Sequence, residues 1–108
     1  MNVELLWWEG CPSTDVLRSE LEGLLSEIGC AGTEIQMREI TSHEQAAAEQ
    51  FIGSPTIRLN GVDPFTVGSA PPSLNCRIYR LRDGRVSPTP DRYDLRAALI
   101  SAASKGEQ

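Results

Sequence analysis

The sequence is poor in the residues that build common metal and nucleic-acid sites. It has one histidine, one lysine and three cysteines among 108 residues, and it contains no CxxC, HxxH or HExxH motif. A dedicated zinc site or another bound cofactor is therefore not expected. The net charge is −5 and the basic residues form no cluster, which argues against nucleic acid and anionic membrane as partners.

A long apolar run and a leader segment are also lacking. No stretch approaches the roughly 18 apolar residues of a membrane span, and "MNVELLWWEG" has neither a basic start nor a long apolar centre. These absences predict a cytoplasmic protein. Cys11, Cys30 and Cys76 are too few, and odd in number, for a structural disulfide framework. Each is therefore expected to be a buried residue, a catalytic thiol or a metal ligand.

The residues that are present predict one α/β domain over residues 1–104 and a polar tail over 105–108. Apolar runs and alternation predict strands, helical spacing of apolar residues predicts helices, and residues 62–75, with three prolines, predict a loop. The predicted strands cover 2–8, 33–40, 55–59 and 76–81; the predicted helices cover 12–28, 43–52 and a last segment that opens at Thr89-Pro90.

The order β-α-β-α-β-β-α predicts a right-handed βαβ unit at the start of a mixed sheet covered by helices. Ser42 and Gln45 form a capping box for the second helix, and Gly29 and Gly53 are expected to end the first two helices. Asn60-Gly61 is a strong turn signal, so we expect the fourth strand to pair antiparallel with the third.

This order, with "GCPST" after the first strand and "GSPT" before the third, resembles the thioredoxin-like fold over nearly the whole chain. The resemblance implies that Cys11 is a nucleophile at the start of the first helix. It also implies that Pro55, preceded by Ser54, is a cis-proline that lies against Cys11. Thr14 occupies the place of the second CxxC cysteine, so the usual local resolving thiol is lacking.

The segments "GCPST", "GSPTIRLNGVDPF" and "LNCRIYR" more closely resemble small bacterial thioredoxin-like proteins. These are often labelled alkylmercury lyase or DF-family (seleno)protein. Organomercurial lyases use two cysteines and an aspartate to protonate a carbon–mercury bond and hold the metal. The resemblance assigns those roles to Cys11, Cys76 and Asp15.

The surroundings of Cys11 predict a moderately activated thiol. Only the thiolate is nucleophilic, and a helix N-terminus stabilises it with partial positive charge and unpaired N–H groups. Pro12 suits the first helical turn, and the Thr14 hydroxyl is placed to donate to the sulfur. Glu9 and Asp15 oppose this as nearby anions. The alternative is that Cys11 is only a small buried residue at the helix start.

The other candidates have an ordinary interpretation beside the functional one. A cis bond before Pro55 would leave the Ser54 backbone free to pair with an extended substrate, although a proline can also simply begin a strand. Cys30, beyond the first helix, is expected to be a spectator, and His43 is expected at the surface. Trp7 and Trp8 point to opposite faces; packing under the helices is preferred for both, although one of them could line a site.

Cys76 presents two alternatives. If the fourth strand returns along the third, Cys76 starts at the far end of the sheet, about 15–20 Å from Cys11, and is a small core residue. The long preceding loop could instead fold back and carry Asp63, Phe65 and Cys76 towards the site, since loops of this length are often functional.

These candidates support three hypotheses of function. The first is thiol–disulfide exchange with Cys11 as nucleophile, assisted by Thr14, with Pro12, Asp15, Ser54 and Pro55 shaping the substrate site. An external thiol or Cys76 would then resolve the intermediate, and the partners would be thiols, disulfides or small soft electrophiles. The second is a lyase-like activity on mercurials, or their sequestration, by Cys11 and Cys76, because thiolates favour soft ions. The third is a binding module without chemistry.

Overall fold

The chain folds around a small mixed sheet flanked by helices on both faces. The structure, a computed structural model, describes residues 1–65 and 71–106. Part of the predicted loop, residues 66–70, and the end of the predicted tail, residues 107–108, lie outside the described residues. The elements are β1 (Val3–Trp7), α1 (Thr14–Glu27), β2 (Ile35–Glu39), α2 (His43–Glu49), β3 (Thr56–Leu59), β4 (Tyr79–Arg80), β5 (Val86–Ser87) and α3 (Arg92–Gly106).

The main sheet has the strand order β2-β1-β3, with β1 in the centre. β1 runs parallel to β2, with Val3 opposite Ile35, and antiparallel to β3, with Val3 opposite Leu59. The prediction of a mixed α/β domain with three helices is confirmed at this level. The prediction that β3 pairs with the fourth strand is wrong, because β3 instead lies against the central strand.

The Asn60-Gly61 turn forms, but it does not open a long hairpin. Both residues have positive φ, and Leu59 and Val62 exchange backbone hydrogen bonds of 2.8 and 3.1 Å across the turn. Pro64 comes two residues later, and proline cannot donate to a strand ladder. The chain therefore leaves the sheet after a single bridge between Leu59 and Val62.

The predicted fourth strand is largely replaced by other pairing. Only Tyr79–Arg80 forms β4, and it pairs antiparallel with β5, a strand that the sequence pattern did not predict. The turn between them contains Gly84 with positive φ, as Asp83-Gly84 indicates. Cys76, at the start of the predicted strand, instead pairs through the backbone with Ser54 in an isolated parallel β-bridge.

Two apolar clusters lie on opposite faces of β1, because successive strand side chains alternate. Val3 and Leu5 pack with leucines of α1 and α3, including Leu17 and Leu95, in the larger cluster. Leu6 packs with Ile40, Ala46 and Phe51 beneath α2 in the smaller one. The sheet is thus covered by α1 and α3 on one face and by α2 on the other.

Several helix ends differ from the predicted ones by a few residues. α1 begins at Thr14 rather than Pro12, and Gly29 lies just beyond its end with φ of +84° as expected. α2 ends at Glu49, and the residue that caps it, in the left-handed conformation, is Gln50 rather than Gly53. α3 begins at Arg92 rather than at Thr89-Pro90, and the carboxylate of Asp91 accepts from the backbone N–H of Tyr93 in its first turn.

α3 continues to Gly106, past the predicted domain end at residue 104. Among the described residues, no helix has both the length and the apolar character needed to cross a membrane.

Candidate functional site

Cys11 and Cys76 form a disulfide, with sulfurs 2.08 Å and Cα atoms 5.7 Å apart. Of the two alternatives for Cys76, the one that places it most of a strand length away is therefore wrong. β3 does run away from Cys11, since Thr56 pairs with Leu6 and Leu59 with Val3. The chain then leaves the sheet at the 60–61 turn and returns to the start of β3. The alternative in which the loop folds back is the one that the structure adopts.

Ser54 binds residues 75–77, the returning segment, through backbone hydrogen bonds in the manner of a parallel strand. Its backbone N–H donates to the carbonyl of Asn75 at 2.7 Å, and its carbonyl accepts from the N–H of Arg77 at 2.8 Å. The Ser54–Pro55 bond is cis, which confirms that expectation. The expectation that the Ser54 backbone is free for a substrate is wrong in this state, because residues 75–77 of the same chain occupy it.

Ser54 also joins the site to β1. Its side chain is fully buried, and its hydroxyl oxygen accepts from the backbone N–H of Trp8 at 2.9 Å. The backbone N–H of Cys11 donates to the carbonyl of Trp8 at 3.1 Å, which makes a tight turn between β1 and α1. Trp8 thus links the backbone around Cys11 to the residue before the cis-proline.

The side chain of Arg77 anchors the returning segment through contacts that do not involve the disulfide. Its guanidinium is almost fully buried, lies 2.5 Å from the carboxylate of Asp63 and 3.4 Å from the Thr56 hydroxyl, and stacks over the Tyr79 ring at 4.5 Å. The Tyr79 hydroxyl donates to the carbonyl of Pro55 at 2.5 Å. Burial, partly offset by the Arg77 charge, raises the pKa of Tyr79 well above its usual value, so the hydroxyl stays protonated and can donate.

The sequence pattern did not single out Arg77 or Tyr79 as part of the site. The available signal was a basic residue directly after Cys76 in a stretch otherwise predicted to be an apolar strand. Phe65, which the loop was expected to carry towards the site, stands edge-on to Tyr79 with ring centroids 5.7 Å apart. Asp63 and Phe65 therefore both lie beside the returning segment.

Cys11 faces a cavity of about 440 Å³ at the start of α1. Trp7, Pro12, Thr14 and Asp15 line the same cavity, so the structure brings these predicted residues together. Cys11 is only 4% exposed, whereas Pro12 and Asp15 are exposed. The Thr14 hydroxyl is buried and has no hydrogen-bond partner among the described residues. The expected hydrogen bond from Thr14 to the Cys11 sulfur is therefore not made in the disulfide state.

Cys76 belongs to a different surface. It is exposed, and it lines a second cavity of about 600 Å³ together with Ile52, Phe65, Ile78 and Tyr79. The disulfide therefore joins a buried cysteine just before the start of α1 to an exposed cysteine in a cavity of mixed character. Beside the apolar and aromatic residues, the cavity is lined by the charged residues Arg77, Arg80, Asp91 and Asp94.

The remaining candidates lie elsewhere. Cys30 is half-buried against the larger apolar cluster and is not in a disulfide. His43 is exposed as the first residue of α2. Trp8 packs on the smaller apolar cluster while Trp7 lines the cavity beside Cys11, which confirms the expectation that they face opposite sides.

No family model, no curated protein and no solved structure matches this chain significantly.

Proposed function

We propose that this protein is a thioredoxin-like thiol–disulfide exchange protein in which Cys11 and Cys76 are the redox pair. The observation that carries the proposal is the Cys11–Cys76 disulfide, formed beside the cis-proline at residue 55. Thr14 stands where a local second cysteine would be, and Cys76 supplies the missing thiol from a distant loop. Cys11, which has no resolving cysteine in its own helix, is thus bonded to Cys76.

The thioredoxin-like part of the proposal is supported by the arrangement of the elements. The sheet order β2-β1-β3, with β3 antiparallel to β1, places the end of β1 and the start of β3 side by side. Cys11 comes after the first of these and Pro55 precedes the second. α1 begins three residues after Cys11, so Cys11 lies close to the N-terminus of the helix.

Accessibility sets the order of the two exchange steps. Cys11 is buried and Cys76 is exposed, so an external thiolate reaches the sulfur of Cys76. Its attack forms a mixed disulfide on Cys76, breaks the bond to Cys11, and leaves the electron pair on the Cys11 sulfur. A second external thiolate then attacks the mixed disulfide, releases the Cys76 thiolate and carries away an external disulfide.

The oxidising direction is the reverse. The Cys76 thiolate attacks a substrate disulfide and releases one substrate thiolate. The Cys11 thiolate is the nucleophile of the closing step, in which it attacks the Cys76 sulfur and releases the second substrate thiolate. The N-terminus of α1 and the unpaired Thr14 hydroxyl stabilise the Cys11 thiolate in both directions. A more stable thiolate is a better leaving group, which speeds reduction.

The partners of this exchange are thiols, disulfides or small soft electrophiles. A net charge of −5 without a basic cluster disfavours nucleic acid as a partner. The lining beside Cys76 combines apolar and aromatic side chains with two arginines and two aspartates, which suits a substrate that presents sulfur next to both apolar and polar groups.

One test is to equilibrate the reduced protein in glutathione buffers of graded potential and to map the cysteine peptides by mass spectrometry. We expect the Cys11–Cys76 bridge to form reversibly, with Cys30 in the same molecule as the internal control. If Cys11 and Cys76 exchange no faster than Cys30, and no bridge forms, the exchange function is wrong and a binding module without chemistry is favoured.

Handling of mercurials is a second candidate, favoured by the same apposition of two cysteines. When reduced, Cys11 and Cys76 offer two thiolates to one soft ion, and Asp15 lines the cavity beside Cys11. Incubation of the reduced protein with phenylmercury distinguishes the outcomes. A lyase releases benzene and loses this activity in Cys11→Ser and in Cys76→Ser, whereas sequestration binds the mercurial without releasing benzene.

A further inference from the structure

The returning segment is attached to the fold by more than its disulfide. Two backbone hydrogen bonds join Ser54 to Asn75 and Arg77, and the side chain of Arg77 is anchored separately. None of these contacts involves a sulfur atom. They therefore remain available when the bond between Cys11 and Cys76 is reduced.

The Arg77 anchor is the most specific of these attachments. The side chains of Arg77 and Asp63 are 8% and 12% exposed, so the ion pair is formed almost without water. Each partner has further support: Arg77 contacts the Thr56 hydroxyl and the Tyr79 ring, and one carboxylate oxygen of Asp63 accepts from the backbone N–H of Phe65. Removing one charge leaves the other buried without a partner, which is strongly unfavourable.

The anchor is also adjacent to the reacting atom in the chain. Arg77 is the residue directly after Cys76, and its partners Thr56 and Tyr79 are fixed to the start of β3, the latter through the Pro55 carbonyl. Gly53 completes the fit, because an added Cβ there would lie 3.0 to 3.2 Å from the Arg77 backbone and Cβ. The position of Arg77 therefore sets the position of Cys76 relative to Cys11.

We infer that Arg77 and Asp63 are positioning residues that hold Cys76 over Cys11 after reduction, and so raise the effective concentration of one thiol at the other. This inference rests on the proposed exchange function. A held thiol closes the intramolecular disulfide in preference to remaining in a mixed disulfide, because closure is then an intramolecular step at high effective concentration.

The step affected is the closing one. The Cys11 thiolate attacks the Cys76 sulfur of a mixed disulfide with glutathione, the new bond joins Cys11 to Cys76, and glutathione leaves as a thiolate. If the returning segment is no longer anchored, the reactivity of each sulfur is unchanged, but the effective concentration of the Cys11 thiolate at the Cys76 sulfur falls. The mixed disulfide then accumulates at the expense of the bridge.

The test compares native protein with Arg77→Met and Asp63→Asn at fixed ratios of reduced to oxidised glutathione. Mass spectrometry counts bridged, mixed-disulfide and reduced molecules. We expect each variant to lower the effective concentration roughly tenfold or more. The double variant is expected to lose less than the two single losses combined, since neither charge is then left buried alone. Arg58→Met, which breaks the partly buried pair of Arg58 with Glu49, is the matched control and leaves the ratio unchanged.

Two further variants make the outcome independent of folding defects. Arg77→Lys keeps the charge, and we expect it to restore part of the effective concentration lost in Arg77→Met. Tyr79→Phe removes only the hydroxyl that donates to Pro55, and it should lower the ratio modestly in a protein with native circular dichroism. The inference would be overturned if Arg77→Met, Arg77→Lys, Asp63→Asn and Tyr79→Phe all kept the native ratio of the Cys11–Cys76 disulfide to the mixed disulfide with glutathione. Failure of the native protein to form the bridge would instead overturn the exchange function.

Discussion

Thr14 is the residue that most changes the chemistry expected of this site. In the resemblance to the thioredoxin-like fold it takes the place of a second cysteine. Its hydroxyl is buried, without a hydrogen-bond partner among the described residues, and Thr14 lines the same cavity as Cys11. A buried donor without an acceptor is unfavourable in the oxidised protein and becomes useful once Cys11 carries a negative charge. Under the proposed function, threonine at this position thus supplies a donor to the thiolate where a CxxC protein has a resolving thiol.

Replacing Thr14 by valine, which keeps the shape and removes the donor, tests this role. We expect Thr14→Val to slow alkylation of reduced Cys11 several-fold at a fixed pH below 8, because less thiolate is present. The measurement is the rate of iodoacetamide labelling in a Cys76→Ser background, with Ser13→Ala as a neighbouring control. An unchanged rate in Thr14→Val would show that the hydroxyl does not interact with the sulfur.

Glu20 gives a prediction about pH. One of its carboxylate oxygens is buried and has no hydrogen-bond partner in the described part of the chain. Burial raises the pKa of Glu20, an effect that Arg92 reduces and Asp91 reinforces. A carboxyl whose folded-state pKa is raised favours the fold when protonated, so its contribution to stability falls as pH rises through that pKa.

We therefore expect Glu20→Gln to raise the melting temperature at pH 7 and to have little effect near pH 4, where the carboxyl is largely protonated in either state. Thermal denaturation at both values measures it. Glu22→Gln, at an exposed position of the same helix, is the control and should change little. A variant less stable than native protein at pH 7 would contradict the expected sign.

At the residue scale the sequence located one half of the site. Cys11, Ser54 and Pro55 could be predicted because the short segments "GCPST" and "GSPT" resemble motifs of the thioredoxin-like fold. Arg77 and Tyr79 could not, since their roles depend on contacts with Asp63 and Pro55, 14 and 24 positions away in the chain. No local pattern records such a pairing.

At the scale of elements, the connection between α2 and β3 matters most for the site. Gly53 has φ of +144°, and the Arg77 backbone passes directly over it. Only glycine adopts this conformation readily and leaves room for that approach. The returning segment is thus fitted to a position without a side chain.

We expect Gly53→Ala to displace the Cys76–Arg77 segment, to lower the fraction of bridged protein in glutathione buffer, and to destabilise the fold. Gly23→Ala is the matched control. Nothing lies within 4 Å of an added Cβ at Gly23, which is in the interior of α1. That change should stabilise the protein by about 1 kcal/mol through helix propensity. Disulfide mapping measures the fraction of bridged protein, and urea denaturation measures the free energy of unfolding. The fit proposed for Gly53 would be contradicted if Gly53→Ala and Gly23→Ala gave the same values of both quantities.

The helices and the first three strands could be predicted because periodicity and capping residues act over a few positions. The side chain of Ser42 accepts from the backbone N–H of Gln45, as the capping pattern predicts. The fourth strand could not, because the same residues are able to pair with two different partners. The Ser54 backbone binds the segment at Cys76, so only Tyr79 and Arg80 remain for the hairpin with β5.

At the scale of the whole molecule, the disulfide closes a long covalent loop. Cys11 and Cys76 are separated by 65 positions, and this loop contains α1, β2, α2 and β3. Restricting an unfolded chain in this way is worth about 4 kcal/mol in the chain-entropy model. A domain of this size has a total stability of only about 5–15 kcal/mol.

Reduction should therefore lower the free energy of unfolding by up to about 4 kcal/mol. Urea denaturation with and without a phosphine reductant measures the difference. The variant Cys11→Ser/Cys76→Ser should match the reduced protein, while Cys30→Ser should respond to the reductant as native protein does. Native stability unaffected by reduction would mean that the loop is already constrained in the unfolded chain.

The overall topology could be predicted only in part. The βαβ start and the mixed α/β class agree with the alternating elements, and so does the parallel pairing of β1 with β2. The Asn60-Gly61 turn is a misleading signal for the pairing of the chain beyond Gly61. A turn fixes the direction of a few residues, whereas the pairing of residues 75–77 depends on a long-range closure that Cys11 and Ser54 together make favourable.

The long loop closed by the disulfide has a reciprocal consequence. In a thermodynamic cycle, the free energy by which the bridge stabilises the folded chain equals the free energy by which folding stabilises the bridge. The disulfide of an unfolded molecule is therefore reduced by external thiols more readily than that of a folded molecule. The oxidation state of Cys11 and Cys76 would then serve as a chemical record of whether each molecule is correctly folded.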